Sequence, residues 1–145
     1  MRLVLQRVSR AEVRADGAAV GRIGRGLLVL AAVTHGDGPA QVEAAAAKLA
    51  GLRVFEDAGG KMNLDPAAAG AAFLLVSQFT LAADLSRGRR PSFAAAAPPE
   101  VAAPLVDALT ERLRRLGFQV ETGRFGAAME VELVNDGPVT FVLDL

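Results

Sequence analysis

The chain has 145 residues, 52% of them hydrophobic and 22% charged, a length that suits one domain over residues 1–145 burying roughly 70% of its unfolded surface. Its 16 basic and 16 acidic residues cancel, which argues against a protein drawn onto a polyanion by its overall field, and without cysteine neither disulfides nor thiolate catalysis is available. Apolar runs are broken by charges well short of the roughly 20 residues a membrane helix needs, and MRLVLQRVSRAEV lacks a secretory pattern, so no membrane partner and a cytoplasmic setting are expected.

RLVLQRVSRAEVRA alternates apolar and polar residues up to Asp16-Gly17, and AAVGRI and GLLVLAAV add two more strand-like runs. This pattern predicts an antiparallel N-terminal meander. Asp37 and Pro39 announce a helix to about Leu52, with Val42, Leu49 and Leu52 on one face. RVFEDAGGKMNL reads as a strand, a Gly-Gly turn and a return, and FLLVSQFTL is apolar enough to be a central strand. From Asp84 to Ala97 the pattern dissolves into a loop rich in Gly, Arg, Pro and Ala. A second helix follows, with a stripe of Val101, Leu105, Leu109, Leu113 and Leu116, a cap at Gly117, and a start near Ala103 because Pro104 would break an earlier one. FQVETGRF, MEVELV and VTFVLDL complete the strands. Asp136-Gly137 reads as a hairpin turn, although Pro138 follows at once and cannot donate to a ladder. The sum is an α+β domain, mostly antiparallel β-sheet and barrel-like, with two packed helices.

The chemistry narrows by elimination. His35 is the one histidine and has no acidic or cysteine companion at ligand spacing, so a structural role is expected and no protein-held metal. GRIGRG and DAGGKMN lack the strand-to-helix context and Lys-Ser/Thr ending of phosphate loops, and no G-x-S-x-G elbow presents a serine. The polar stretch left at the end of the most apolar run is Ser77, Gln78, Phe79 and Thr80. On an extended strand Gln78 and Thr80 share one face, and Ser77 and Phe79 the other, so one strand end presents hydroxyl, amide and aromatic groups. Satisfied hydroxyls in a sheet are the bland alternative. Arg87, Arg89 and Arg90 follow in the loop, where arginines fork onto phosphates or simply form a solvated face.

QRVSRA at Gln6, GKMN at Gly60, SQFTLAAD at Ser77, RPSF at Arg90, TGRFGA at Thr122 and NDGPVT at Asn135 together resemble the D-aminoacyl-tRNA deacylase family over nearly the whole chain. The resemblance implies a β-rich α+β homodimer that hydrolyses the ester between a D-amino acid and the 3′ end of tRNA and also clears mischarged glycyl-tRNA. It implies no cofactor and no DNA partner. A cis Gly137-Pro138 pair would project from one subunit into the other's active site and reject L-amino acids sterically. Ser77, Gln78, Phe79 and Thr80 would form the catalytic segment, with backbone N–H groups around Phe79 and Thr80 as oxyanion donors and Thr80 as covalent nucleophile the rival mechanism.

Arg7, Met129, Asn135 and Thr140 fall to substrate binding in the same resemblance, Arg7 steadying the Gly-Pro loop and Met129 with Phe79 lining the pocket for the terminal adenosine. Leu85 stands where the family usually has a small polar residue, and Ala128 where Asp is frequent. Two readings from other classes are a non-catalytic RNA-binding module using Arg87 to Arg90 and a purely structural dimerisation domain.

Overall fold

A computed structural model describes residues 1–145. Arg2–Ala15 form one long strand, β1, whose alternation buries Leu3, Leu5, Ala11 and Val13. Strand β2 (Ala18–Ile23) pairs antiparallel with the second half of β1, and β3 (Gly26–Ala32) with its first half. The three are therefore not the expected meander. At 14 residues β1 is long enough to offer β2 and β3, of 6 and 7 residues, separate stretches, and it becomes the hub of the sheet.

Parallel strands need long crossovers, and the two helices supply them. Helix α1 (Pro39–Gly51) leads from β3 towards β6 (Ala72–Ser77), and α2 (Pro99–Arg115) from β6 to β7 (Val120–Thr122). β3, β6 and β7 are parallel neighbours, so the sheet, mostly antiparallel as expected through the pairings of β1, is parallel on one side. The first crossover also carries the predicted small hairpin, β4 (Phe55–Glu56) with β5 (Met62–Leu64). β6 is buried on both faces, which is why its sequence shows no alternation. Phe73 and Leu75 meet a core that includes Leu3, Leu49, Phe55, Leu109 and Leu113. Leu74 and Val76 join Val8, Val13, Ile23 and Leu28 in a second core, against which Met129, Val131 and Leu133 pack. The α+β, nearly barrel-shaped architecture agrees with the sequence reading.

Helix α1 keeps its expected bounds, but its cap and the start of α2 differ instructively. Asp37 does not cap α1: its carboxylate accepts from the Met1 amine (2.6 Å) and from the Thr34 N–H and hydroxyl (2.6 and 3.0 Å). Gly38 is the N-cap, its N–H donating to Gln41 Oε1 (2.9 Å). α2 begins at Pro99, not near Ala103, and contains Pro104. Five residues into a helix the missing N–H removes a single bond, to the carbonyl of Glu100, and packing of Val106, Leu109 and Leu113 outweighs it. The buried arc is centred on those residues, while Val101 and Leu116 are exposed. Gly117 (φ 92°) ends the helix in a Schellman arrangement, with its N–H donating to Arg114 O (2.9 Å) and the Phe118 N–H to Leu113 O (3.3 Å).

The C-terminal segment is the largest departure. Met129–Asp144 is a single strand, β8, antiparallel to β1 along its length, and not a hairpin. Gln6 faces Thr140 and Val8 faces Asn135, so Arg7 alone stands opposite the four residues Asp136–Val139. Those four bulge out of the ladder without reversing the chain. β8 pairs only with β1, leaving its other edge unpaired, and no helix is long and apolar enough to cross a membrane.

Candidate active site

The ladder between β3 and β6 ends at Ala31 and Ser77, after which the Gln78 N–H donates to Ala31 O (2.7 Å) and the chain leaves the sheet. Phe79–Ala82 then form a short 3-10 turn. The expected strand through Thr80 is thus wrong, and so is its period-two placement of Gln78 with Thr80 and Ser77 with Phe79. The turn nevertheless brings Gln78 and Thr80 together: Gln78 Nε2 donates to Thr80 Oγ1. Turn bonds run back three residues, with the Leu81 N–H reaching Gln78 O (3.2 Å) and the Ala83 N–H reaching Thr80 O (3.1 Å). The first two N–H groups of the turn, those of Phe79 and Thr80, have no protein acceptor.

A cavity of about 530 Å³ opens beside this turn. Its floor is Ala31, Val33 and Val76; Ser77, Gln78 and Phe79 form one wall, Ala97, Ala102 and Val106 another, and Phe125, Gly126, Ala127, Met129 and Val131 the side contributed by the approach to β8. Phe79 is 56% exposed at the mouth and meets Phe93 edge-on, with ring centroids 5.0 Å apart. Sequence reasoning had no signal for the alanine wall. Phe125 was within reach of it through the TGRFGA motif, although the sequence reading carried the strand through Phe125 and β7 in fact stops at Thr122.

Met129 thus shares the cavity with Ser77, Gln78 and Phe79, while Thr80, Arg7, Asn135, Gly137, Pro138 and Thr140 do not line it. The last five cluster around the bulge. The Gly137-Pro138 bond is cis, Gly137 has φ 150°, and both residues are exposed. Arg7 is 3% exposed and fans out beneath them, Nε donating to Asp136 O (2.9 Å), Nη1 to Val54 O (2.8 Å) and Nη2 to Glu56 Oε1 (3.1 Å). Asn135 ties the neck of the bulge: its Oδ1 accepts from the Val139 N–H (2.6 Å), and its Nδ2 donates to Val139 O (3.2 Å) and Thr140 Oγ1 (3.1 Å). Gln6 Nε2 also donates to the Thr140 hydroxyl (3.3 Å). His35 is exposed on a turn with only its backbone engaged, to Ala95 O (3.1 Å).

The family model described as D-Tyr-tRNA(Tyr) deacylase matches residues 4–144. The chain belongs to this deacylase family. It is 60% identical over 144 residues to the D-aminoacyl-tRNA deacylase of Anaeromyxobacter dehalogenans, covering 99% of this chain and 97% of that one. To the D-aminoacyl-tRNA deacylase of Thermomicrobium roseum it is 58% identical, covering 99% and 94%. Among solved structures it resembles a c-Myc DNA Unwinding Element Binding Protein at TM-score 0.94 and 38% identity, over 100% of this chain and 99% of that one. The family is one of enzymes, so the cavity of this deacylase-family chain is its candidate active site, and the clamped bulge is a second structural unit set apart from it on the same protomer.

Proposed function

We propose that this chain hydrolyses the ester joining a D-amino acid to the 3′ end of tRNA, releasing the free amino acid and tRNA. The observation that carries the reading is the 3-10 turn at the cavity mouth, with two unengaged N–H groups at Phe79 and Thr80. An aminoacyl ester is already activated, so a positioned water suffices as nucleophile. Water adds to the ester carbonyl, the oxyanion that develops accepts from the Phe79 and Thr80 N–H groups, and collapse expels the ribose oxygen, which takes up the proton that the water loses. The adjacent ribose hydroxyl of the tRNA helps relay it. One such donor is typically worth about 10²–10³ in rate. Ser77 and Gln78 shape the carbonyl end of the cavity, and Met129 and Phe79 hold the terminal adenosine.

Handedness is read by Gly137 and Pro138 of a second copy. Three features support this reading: the bulge is exposed, it does not line the cavity of its own protomer, and the adjoining β8 leaves one edge unpaired beside exposed Val134, Phe141 and Val142. With the α-amino group, ester and α-hydrogen fixed, an L-side chain runs into this main-chain wedge while a D-side chain points out of the cavity. Selection is steric, so side-chain identity matters little and mischarged glycyl-tRNA is also cleaved. Arg7, Asn135 and Thr140 serve the substrate indirectly, by holding the wedge.

Matched D- and L-aminoacyl-tRNAs test the reading: release from the D-ester and not from the L-ester is expected. Binding without release would point to an RNA-binding module, and neither binding nor release to a structural domain. In this reading water, and not Thr80, is the nucleophile. Thr80 Oγ1 is engaged by an amide donor, Gln78 Nε2, and an amide is no base. Thr80→Ala is therefore expected to keep single-turnover deacylation within about tenfold of the parent, whereas removal of a covalent nucleophile typically costs several orders of magnitude.

A further inference from the structure

Residues Leu85–Pro91 form a loop that no element of the fold uses. Its neck is a pair of backbone bonds, the Asp84 N–H to Ser92 O (2.8 Å) and the Ser92 N–H to Asp84 O (3.0 Å). Beyond the neck every residue is exposed. Most arginines elsewhere are matched to a carboxylate, as in Arg2 with Asp144, Arg10 with Glu132 and Arg124 with Asp16. Arg87, Arg89 and Arg90 have neither an ion pair nor a hydrogen bond. The nearest acid in sequence, Asp84, is engaged by Ser86 instead: its Oδ1 accepts from the Ser86 N–H (2.8 Å), and the hydroxyl and N–H of Ser86 hold the carboxyl below the usual carboxylate range. Three free guanidinium groups thus sit on one short loop of a chain whose net charge is zero.

The loop is anchored at the cavity. Phe93, one residue past the neck, stacks edge-on against Phe79 at the cavity mouth, and Ala96 and Ala97 line the cavity itself. Exposed aromatic rings followed by unpaired arginines are the two components of a sequence-tolerant single-strand site, the rings taking base faces and the guanidiniums the phosphates. We infer that Arg87, Arg89 and Arg90, with Phe93, form a track for the single-stranded 3′ end of tRNA, gripping the phosphates that precede the terminal nucleotide. This rests on the aminoacyl-tRNA reading above. If the esterified ribose lies in the cavity, the preceding phosphates must leave over its mouth, where the loop stands. A duplex site is the poorer fit, because stacking rings find free base faces only on unpaired nucleotides.

Binding of uncharged tRNA between 50 and 200 mM salt tests this without requiring catalysis. Each phosphate contact on a single strand adds about 0.7 to the slope of log affinity against log salt. The triple variant Arg87→Gln/Arg89→Gln/Arg90→Gln is expected to lose roughly 2 from that slope and to bind about tenfold more weakly at the lower salt. Arg115→Gln, which removes another free exposed arginine, should change neither, and the triple's deficit should vanish on tRNA trimmed of its unpaired 3′ nucleotides. An unchanged slope in the triple, an equal effect from Arg115→Gln, or a deficit that persists on trimmed tRNA would each overturn the inference. If the parent protein binds tRNA as expected yet cleaves no D-ester, it is the proposed activity that fails, and the binding comparison still decides the role of the loop.

Discussion

Gly137→Ala is expected to lower the ratio of D- to L-aminoacyl-tRNA cleavage about tenfold or more while leaving thermal unfolding nearly unchanged. At φ 150° only glycine is comfortable, and a Cβ built there falls 2.5 Å from Val139 Cγ2 and 2.7 Å from Val139 N. Strain on the order of 1–3 kcal/mol then has to relax. Because Asp136, Gly137 and Pro138 are exposed, the relaxation is a shift of the bulge and not a rupture of the core. A wedge that works by steric exclusion loses selectivity as soon as it moves, and 1.4 kcal/mol of lost exclusion is already a factor of ten. Paired kcat/KM measurements on the two mirror-image esters read the outcome. A variant that keeps the parental ratio would show that the wedge does not read handedness.

Arg7→Ala is expected to have the larger effect on stability, a loss of roughly 2–3 kcal/mol, or about 5–10 °C in Tm. The guanidinium is almost completely buried and answers three acceptors on two separate segments, Val54 and Glu56 at β4 and Asp136 in the bulge. Two of them, Glu56 and Asp136, are exposed enough to turn to water, so the cost stays below that of stranding a buried carboxylate. The Val54 carbonyl is buried and loses its partner outright. The same change frees Asp136, so the ratio of D- to L-ester cleavage should fall together with Tm. A drop in Tm with the ratio intact would reduce Arg7 to a structural residue.

Elements defined by their own side-chain period were legible in the sequence. β1, β2 and α1 follow alternation or helical spacing, while β3 was marked by an unbroken apolar run and the β4–β5 hairpin by its Gly-Gly turn. What sequence could not supply was set by partners distant in the chain. The parallel pairing of β6 depends on two crossovers, and no residue within FLLVS encodes which neighbour it meets. Asp136-Gly137 carries a genuine turn signal, but both flanking halves find ladder partners on β1, and Arg7 and Asn135 hold the misfit residues in place, so pairing overrode the local preference. The strand through SQFT ended early, and past Ala31 the same edge is taken by Ala95–Ala97, with the Ala97 N–H donating to Val33 O and the His35 N–H to Ala95 O. Of the site, the residues belonging to contiguous motifs were legible, and those contributed as bare wall, such as Ala102 and Val106, were not.

On the proposed reading, handedness is judged by main chain and a proline ring where most selective pockets use side chains. Main chain is identical whatever the codon, so on that reading drift that enriches a genome in alanine leaves the selection untouched as long as the path of the chain is kept. A chirality check made of main chain is buffered against mutation everywhere except at the few positions that bend it.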